Sequence, residues 1–514
     1  MQGAPHIADH LRYWASNRPQ QAAAEFASGP LSWAALDAGS DELANGLLGI
    51  GLDPGDRVAA LLDSTPEFVE LVAACIKAGL ILCPLNVRLA APELLHQIRD
   101  SGAAVLVTAK SPSARLEPVA HELGTLPVYC LDAHAGRDFQ CLRLAGGVAQ
   151  RRFAPDDGLF LCYTSGTTGL PKAALLSHGG VRAAGLSKQI ADGISHRDRA
   201  WSMAPLCLTA GLVTNLVQIS FLVGATIVFG SAADPEQALA HVVSQRITTM
   251  AMVPLMLERM SQTEAFTRAE LSGLQHVTTG GPDLTAELVA RYAQRGVSLD
   301  PSFGQTEASS IVTWSRRRDM GNRLRASGRA IPHTEVRIFD EDDHVLPAGQ
   351  AGEIVVRGPG VMLGYWQRPE ATAAALRNGW LHTGDIGFLD EQAYLTVCDR
   401  KKDMIRSGGF NVYPAEVEQA LLPVLLATAE IAVVGVPDAQ WGEVGLLVVG
   451  GDPRVDIDAL RRRMQATLAG YKQPRRYCVV IDEALPRNAT GKIRKVDLRQ
   501  RFASLPASAI RLKD

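Results

Sequence analysis

The segment that most constrains this chain runs from Tyr163 to His178 and reads YTSGTTGLPKAALLSH. Six consecutive hydroxyl-bearing or glycine positions, Thr164 to Gly169, are followed after Leu170 and Pro171 by Lys172. Such a run cannot pack a core, because it offers almost no apolar surface and loses maximal backbone entropy on ordering. It must therefore be a loop, and the apolar runs LFLC (159–162) and Ala173–Leu176 on either side read as strands that anchor it. A flexible Ser/Gly/Thr linker seldom sits between two such strands. The composition suits a polyphosphate: glycines let backbone N–H groups approach closely, hydroxyls add donors, and Lys172 adds a point charge. The spacing is not that of the Walker loop, G-x-x-x-x-G-K-[ST]. A non-Walker phosphate cradle is expected.

With 514 residues the chain exceeds what one core can organise, so two to four domains or subdomains are expected. A formal charge of −3 gives no reason to expect nucleic acid as a partner. The eight cysteines lie scattered, mostly in apolar runs, with no CxxC or Cys/His cluster of metal-ligand spacing. Buried free thiols in a reducing compartment are the expectation. The N-terminal MQGAPHIADHLRYW lacks a basic region followed by an apolar one, which points away from a signal peptide and toward the cytoplasm. Gly211–Gly230 is uncharged for twenty residues, long enough to span a bilayer. It contains Thr214, Asn215, Gln218, Ser220 and Gly224, however, and divides into a helix ending near Val223 and a β-branched strand, Ala225–Phe229. No transmembrane segment is expected.

Strand-like runs alternate with helical patterns in RVAALLD, EFVELVAACIKAG, ILCPLN, AAVLVTA and PVYCLD, and again around LFLCYT, ATIVFG, TTMAMVP and HVTTGG. This alternation predicts two parallel α/β layer systems. From about 330 to 400 the texture changes to closely spaced strands and turns, a small antiparallel, β-barrel-like unit. Past Arg400 a smaller mixed α+β segment begins, with a helix start at Pro414, a helix around Ile457–Leu468 and a strand near 478.

Four polar islands carry further chemistry. FGQTE (303–307) ends in a carboxylate that could hold a hard cation such as Mg²⁺ beside phosphates. GWLHTGDIG (379–387) puts Asp385 in a glycine-flanked turn, where it can accept from vicinal ribose hydroxyls or simply close an Asx turn. DRKKDMIRSGGFNVYPAEVE (399–418) combines a basic run, a Gly-Gly corner and a helix start. PRNATGKIRK (486–495) presents Lys492 at the tip of a polar turn.

In this order, over essentially the whole length, these segments resemble the adenylate-forming superfamily of acyl-CoA synthetases, adenylation domains and luciferases, most of all bacterial fatty-acyl and aryl-CoA ligases. The resemblance implies an N-terminal domain (1–400, including the barrel-like part) that binds ATP and the acid. A mobile C-terminal domain (403–514) follows a hinge near Lys402. The implied reaction is attack of a carboxylate on the α-phosphate of ATP, then displacement of AMP by a thiol, normally that of coenzyme A. By the same resemblance Thr164, Ser165, Gly166, Thr167, Thr168, Gly169 and Lys172 hold the β- and γ-phosphates. Thr306 stands at the α-phosphate and Glu307 ligates Mg²⁺. Phe303, beside Gly304, lies against adenine, with Gly281 and Pro282 on its other side. Asp385 and Arg400 hold the ribose, and Lys492 stabilises charge on the α-phosphate in the first step. Arg88, Trp441 and Arg475 fall where related aryl-CoA ligases contact CoA, and rotation about Lys402 would bring in the Gly408–Gly409 face. Leu208, Thr209, Gly211, Gly280 and Gly281 would line the acyl pocket.

The departures concern the acid. Ala173 replaces a common glycine, and PLCLTAGL (205–212) has Cys207 and Leu208 where relatives carry an aromatic residue and a histidine. No aspartate stands there to pair an amino-acid ammonium, and no arginine sits in the apolar stretches expected to line the pocket. By elimination an apolar acid, fatty or aromatic, is expected. Transfer to a carrier-protein thiol is the nearest rival, a luciferase-like oxidative use of the adenylate another, and a catalytically silent nucleotide or acyl sensor a third. The resemblance also leaves room for a homodimer and for a lysine acyltransferase acting on Lys492.

Overall fold

Parallel strands with helices between them build most of the chain. The computed structural model describes residues 6–132, 136–146, 153–164, 171–232, 234–280, 284–407, 410–425, 429–438, 440–451, 454–474, 477–487, 492–503, 509–510 and 512. Chain contacts divide it into two units. The first comprises Met1–Arg337, Val355–Thr383 and Gln392–Leu395; the second comprises Ile338–Ile354, Gly384–Glu391 and Thr396–Asp514.

Among the described residues, the first unit holds two large sheets. One runs in the order Gly364–Tyr365, Lys172–Ser177, Gly158–Thr164, Ile81–Pro84, Arg57–Leu61, Val105–Thr108, Val128–Cys130, Arg137–Asp138. Its strands from Gly158–Thr164 onward are parallel, and Lys172–Ser177 pairs antiparallel to Gly158–Thr164. The other sheet runs Arg329–Ala330, Ser310–Trp314, Ser298–Gln305, His276–Gly280, Thr249–Ala251, Arg199–Ser202, Thr226–Phe229, Ala22–Phe26, Gly29–Ser32. Its central strands, from Ser298–Gln305 to Ala22–Phe26, are parallel. The strands expected at LFLC, RVAALLD, ILCPLN, ATIVFG, TTMAMVP and HVTTGG all form.

Local chemistry sets the helix ends. The helix Pro66–Ala78 starts with the Thr65 hydroxyl accepting from Phe68 N (3.3 Å) and with proline in its first turn, and it stops at Gly79 in the left-handed region (φ +74°). The helix His178–Asp192 is capped by Ser177, whose hydroxyl accepts from Gly180 N at 3.0 Å. The uncharged 211–230 stretch is a helix over Ala210–Phe221, buried from Gly211 onward, followed by the strand Thr226–Phe229, as its polar residues implied. This helix is the wide i→i+5 form, with Leu222 N donating to Val217 O at 3.0 Å. Such helices are rare and recur at functional sites. No helix among the described residues is long and apolar enough to cross a membrane.

The strands expected between 330 and 400 form a sheet ordered Glu335–Phe339, Gly352–Arg357, Trp380–Leu389, Leu376–Arg377, with Leu395–Arg400 paired to Trp380–Leu389. The second unit carries the antiparallel strands Phe410–Val412, Ile405–Ser407, Gly442–Gly450 and Glu430–Asp438, with Tyr477–Ile481 added in parallel. Its helices Pro414–Leu421 and Ile457–Thr467 cover one face through Val417, Leu421, Leu460 and Met464.

Candidate active site

In open parallel sheets, ligands gather beyond the carboxyl ends of the strands. Four strands of the first unit deliver expected residues there: Gly158–Thr164 ends at Thr164, Arg199–Ser202 leads to Leu208 and Thr209, His276–Gly280 ends at Gly280, and Ser298–Gln305 leads to Thr306 and Glu307. Ser165, Gly166, Thr167, Thr168, Gly169, Gly281, Pro282, Gly408, Gly409 and Arg475 lie outside the described residues.

Lys172 opens the strand that follows the expected phosphate loop and pairs with Thr164, whose hydroxyl donates to the Lys172 carbonyl at 3.3 Å. Its ammonium lies 5.5 Å from the centroid of the Tyr365 ring. The Tyr365 hydroxyl in turn donates to Glu307 Oε1 at 3.0 Å. The short strand Gly364–Tyr365 that carries this ring pairs with Leu175 and Ala174, and Met362 N donates to Glu307 O at 2.8 Å. One strap thus ties the loop lysine to the carboxylate expected to hold the cation. Tyr365 was not singled out from the sequence, because a tyrosine in an apolar run gives no sign of its partner.

Thr306 and Glu307 sit on a turn held by the wide helix. Thr306 and Thr209 share a hydroxyl–hydroxyl hydrogen bond of 2.8 Å, Thr214 bonds to the Ser310 hydroxyl, and Gln218 Nε2 donates to Ser309 O at 2.9 Å. Ser309 and Ser310 adopt φ of +54° and +98°, an arrangement that L-residues keep only when surrounding contacts over-determine it. Gly304 is required as glycine, since a Cβ there would stand 1.9 Å from Ser310 O. Gly211 is equally closed, its Cβ position lying 2.3 Å from Pro205 O. Phe303 is half-buried on the same strand as Gly304, and Leu208 and Thr209 are half-buried at the helix start. The nearby thiols are unreactive: burial pushes Cys162 up to about 12 against a hydrogen bond from Thr209, and pushes Cys207 up to about 11. The exposed Arg88 adds positive charge beside Cys207.

The second unit gathers another group. Asp385 is buried and pairs with Arg400, Nε to Oδ1 at 2.7 Å. The expected turn at Asp385 is instead the middle of the strand Trp380–Leu389, kinked at Gly384 (φ +69°). The kink is held because buried Glu353 accepts from Gly384 N at 3.2 Å and from Lys401 Nζ at 2.8 Å, while Lys401 N donates to Gly384 O at 2.9 Å. Lys402 is exposed, and the next residue, Asp403, is buried against Arg499 at 2.6 Å. Lys492 is exposed; partial desolvation and then the Arg400 charge lower its pKa, and Asp385 opposes them. Asp385, Arg400 and Lys492 are therefore neighbours. Trp441 is half-buried against the sheet core, with its backbone N–H donating to Asp438 Oδ1 at 3.0 Å.

Glu307 suits a hard cation: one oxygen accepts from Tyr365 and the other lone pairs remain for a metal. Among the described residues no cluster of three metal-ligating side chains occurs. Mg²⁺ is usually held by one or two carboxylates plus substrate phosphates.

Comparison with known proteins agrees with this chemistry. Residues 11–366 match the family described as AMP-binding enzyme, and residues 416–492 match the AMP-binding enzyme C-terminal domain. A feruloyl-CoA synthase from Amycolatopsis sp is 39% identical, covering 94% of this chain and 96% of that protein. An indoleacetate–CoA ligase from Aromatoleum aromaticum is 36% identical over 94% of this chain and 96% of that one. The o-succinylbenzoate CoA synthetase of Bacillus subtilis, solved with its acyl-adenylate intermediate, superposes with a TM-score of 0.84 at 29% identity, covering 98% of both chains.

Proposed function

Because the chain belongs to the AMP-binding enzyme family, we propose that Lys172, Thr306 and Glu307 serve the ATP phosphates, with Tyr365 positioning two of them. The protein is an ATP-dependent carboxylic acid–CoA ligase for aromatic or fatty acids, working through an acyl-AMP intermediate, with ATP, Mg²⁺ and CoA as its small-molecule partners. In the first step a carboxylate oxygen bonds to the α-phosphorus as the bond to pyrophosphate breaks. In the second the CoA sulfur bonds to the acyl carbon and AMP leaves.

The observation that carries the assignment of roles is the Lys172–Tyr365–Glu307 arrangement, which holds a cation and an anion apart on one aromatic side chain. Bound at Glu307, Mg²⁺ would neutralise phosphate charge. Asp385 and Arg400 offer an acceptor and a donor to vicinal ribose hydroxyls, and Lys492 beside them supplies a preorganised cation to the α-phosphate. The proposal extends to residues 1–400 and 403–514 as two domains that alternate about Lys402, and to Arg88 and Trp441 as CoA contacts. It also includes a homodimer, checked by light scattering, and a lysine acyltransferase acting on Lys492, checked by mass spectrometry of protein from the native cell.

The deciding experiment scores a panel of acids for pyrophosphate release with ATP and Mg²⁺, with and without CoA. Acid-dependent release followed by CoA-dependent AMP and thioester is expected. Release without thioester formation would instead indicate another acceptor.

A further inference from the structure

Behind the residues expected to line the acyl pocket lies a second, deeper space. A cavity of about 40 Å³ is enclosed by the wide helix, the helix His178–Asp192 and the central sheet, with Lys188, Thr214, Asn215, Thr249 and Thr278 among its walls. Two of its walls belong to elements that also carry residues expected to line the acyl pocket. Thr278 precedes Gly280 by two residues on one strand, so both face the same side about 7 Å apart. Asn215 follows Gly211 by about one turn of the wide helix. Apolar side chains, Trp201, Ile219 and Ile311 among them, close the remaining walls.

Two of the polar groups there are wired as donors, Lys188 and Thr249. Lys188 is buried at 5% exposure and, among the described residues, donates to Asp192 alone, which leaves two of its three N–H groups. Arg316 donates through Nη2 to the Asp192 carbonyl at 2.6 Å and through Nη1 to His276 Nδ1 at 3.0 Å. Arginine only donates, so Nδ1 of His276 must accept and its proton resides on Nε2. That nitrogen lies 3.2 Å from Thr249 Oγ1 and donates to it, which frees the Thr249 hydroxyl proton to point elsewhere. Lys188 and Thr249 both line the cavity. A buried donor without a partner costs about 1–3 kcal/mol, so this space asks for an acceptor.

We propose that this cavity is the distal subsite of the acyl channel and takes an oxygen acceptor, a ring hydroxyl or alkoxy group, at the far end of the acid. The inference rests on the reading of the chain as an acid–CoA ligase. One water needs about 10–15 Å³ by this measure, so the space admits a hydroxyl or a methoxy group. A ring or a long alkyl chain does not fit; the ring of an aromatic acid stays in the channel above. Lys188 and Thr249 are then specificity-determining residues that touch no reacting atom.

The test measures kcat/KM for pyrophosphate release with 3-phenylpropenoic acid, its 4-hydroxy and 4-methoxy derivatives, and a saturated long-chain fatty acid. The oxygenated ring acids are expected to exceed the unsubstituted one by at least tenfold, the worth of one charge-assisted hydrogen bond. The fatty acid should be the poorest. Thr249→Val should lose most of that preference while the unsubstituted acid is used within about twofold of wild type. The double variant Lys188→Met/Asp192→Leu, which removes both charges so that neither is buried alone, should do the same. Should the double variant not fold, Thr249→Val decides. Equal use of unsubstituted and oxygenated acids by the wild type, a preference for the long alkyl chain, or full preference retained in Thr249→Val would overturn the subsite and leave the ligase reading intact. Pyrophosphate release with none of the acids would overturn both.

Discussion

Replacing Gly304 by alanine tests whether the turn bearing Thr306 and Glu307 must sit where it does. The added methyl would meet Ser310 O at 1.9 Å and Ser310 C at 2.7 Å. Non-bonded carbon and oxygen do not approach below about 3 Å even in the closest C–H···O contacts, so the two strands must part by more than about 1 Å. The Ser310 side cannot yield easily, because Ser309 and Ser310 hold positive φ and are bonded to Gln218 and Thr214 of the buried wide helix. The displacement therefore falls on residues 304–307, and with them on the Thr306–Thr209 and Glu307–Tyr365 hydrogen bonds. A misplacement of about 1 Å in a reacting constellation can cost about 10²-fold in rate, while overpacking costs about 1–3 kcal/mol of stability. Gly304→Ala should thus fold with a lowered melting temperature and lose about 100-fold in kcat/KM for ATP. The assay is pyrophosphate release at saturating acid across ATP and Mg²⁺ concentrations, paired with a thermal melt. Gly273→Ala is the control, since a Cβ there meets nothing within 4 Å. A folded Gly304→Ala enzyme within about threefold of wild type for ATP would refute the reasoning.

Lys492→Ala should slow adenylation by about 10²- to 10³-fold, as expected for losing a preorganised cation, and spare thioester formation from supplied acyl-AMP. Equal loss in both half-reactions would remove its assigned role. Lys402→Pro should impair the thioester step far more than adenylation, and an unaffected second step would count against a hinge there. Buried His178, stacked on Phe153, has its pKa lowered to about 4 by burial, so below pH 6.5 the unfolded chain binds a proton that the native one refuses. Stability should fall by about 3 kcal/mol as pH drops from 6.5 to 4, and a denaturation series in which His178→Phe keeps the wild-type pH slope would contradict this.

What could be read from the chain alone was what is local. The two strands expected to flank the loop at 164–171 form, and the helix beginning at Pro414 carries its own start signal. Residues whose meaning depends on distant partners were read less well. Asp385 looked like a turn residue because glycines flank it, yet Glu353, 31 residues from Gly384 and 48 from Lys401, holds the kinked strand in place. Tyr365 gains its role only when its short strand lies beside Lys172–Ser177 and its hydroxyl meets a glutamate 58 residues away. The acid was approached by asking which charges stand in the segment 205–212, but the charge that lines the cavity proposed for the far end of the acid arrives on another helix, at Lys188.

The uncharged stretch from Gly211 to Gly230 links these observations. Its polar residues argued against a membrane span, and each has an assignment in the fold: Thr214 and Gln218 fasten the turn of Thr306 and Glu307, Asn215 donates to Ser202 at 2.9 Å, and Ser220 donates to Ala23 O at 3.0 Å. A helix buried on all sides gains nothing from polar groups unless they are paired. Their cost is therefore offset by holding the turn of Thr306 and Glu307 on one side of the helix and the cavity wall on the other. Thr214 belongs to both, bonding to Ser310 and lining the cavity. A ring oxygen of the acid seated in the cavity, as proposed, would press on the same side chain that fixes the turn carrying Glu307. The identity of the acid should be felt in kcat as well as in KM, because the proposed distal subsite and the turn proposed to bind phosphate share a support.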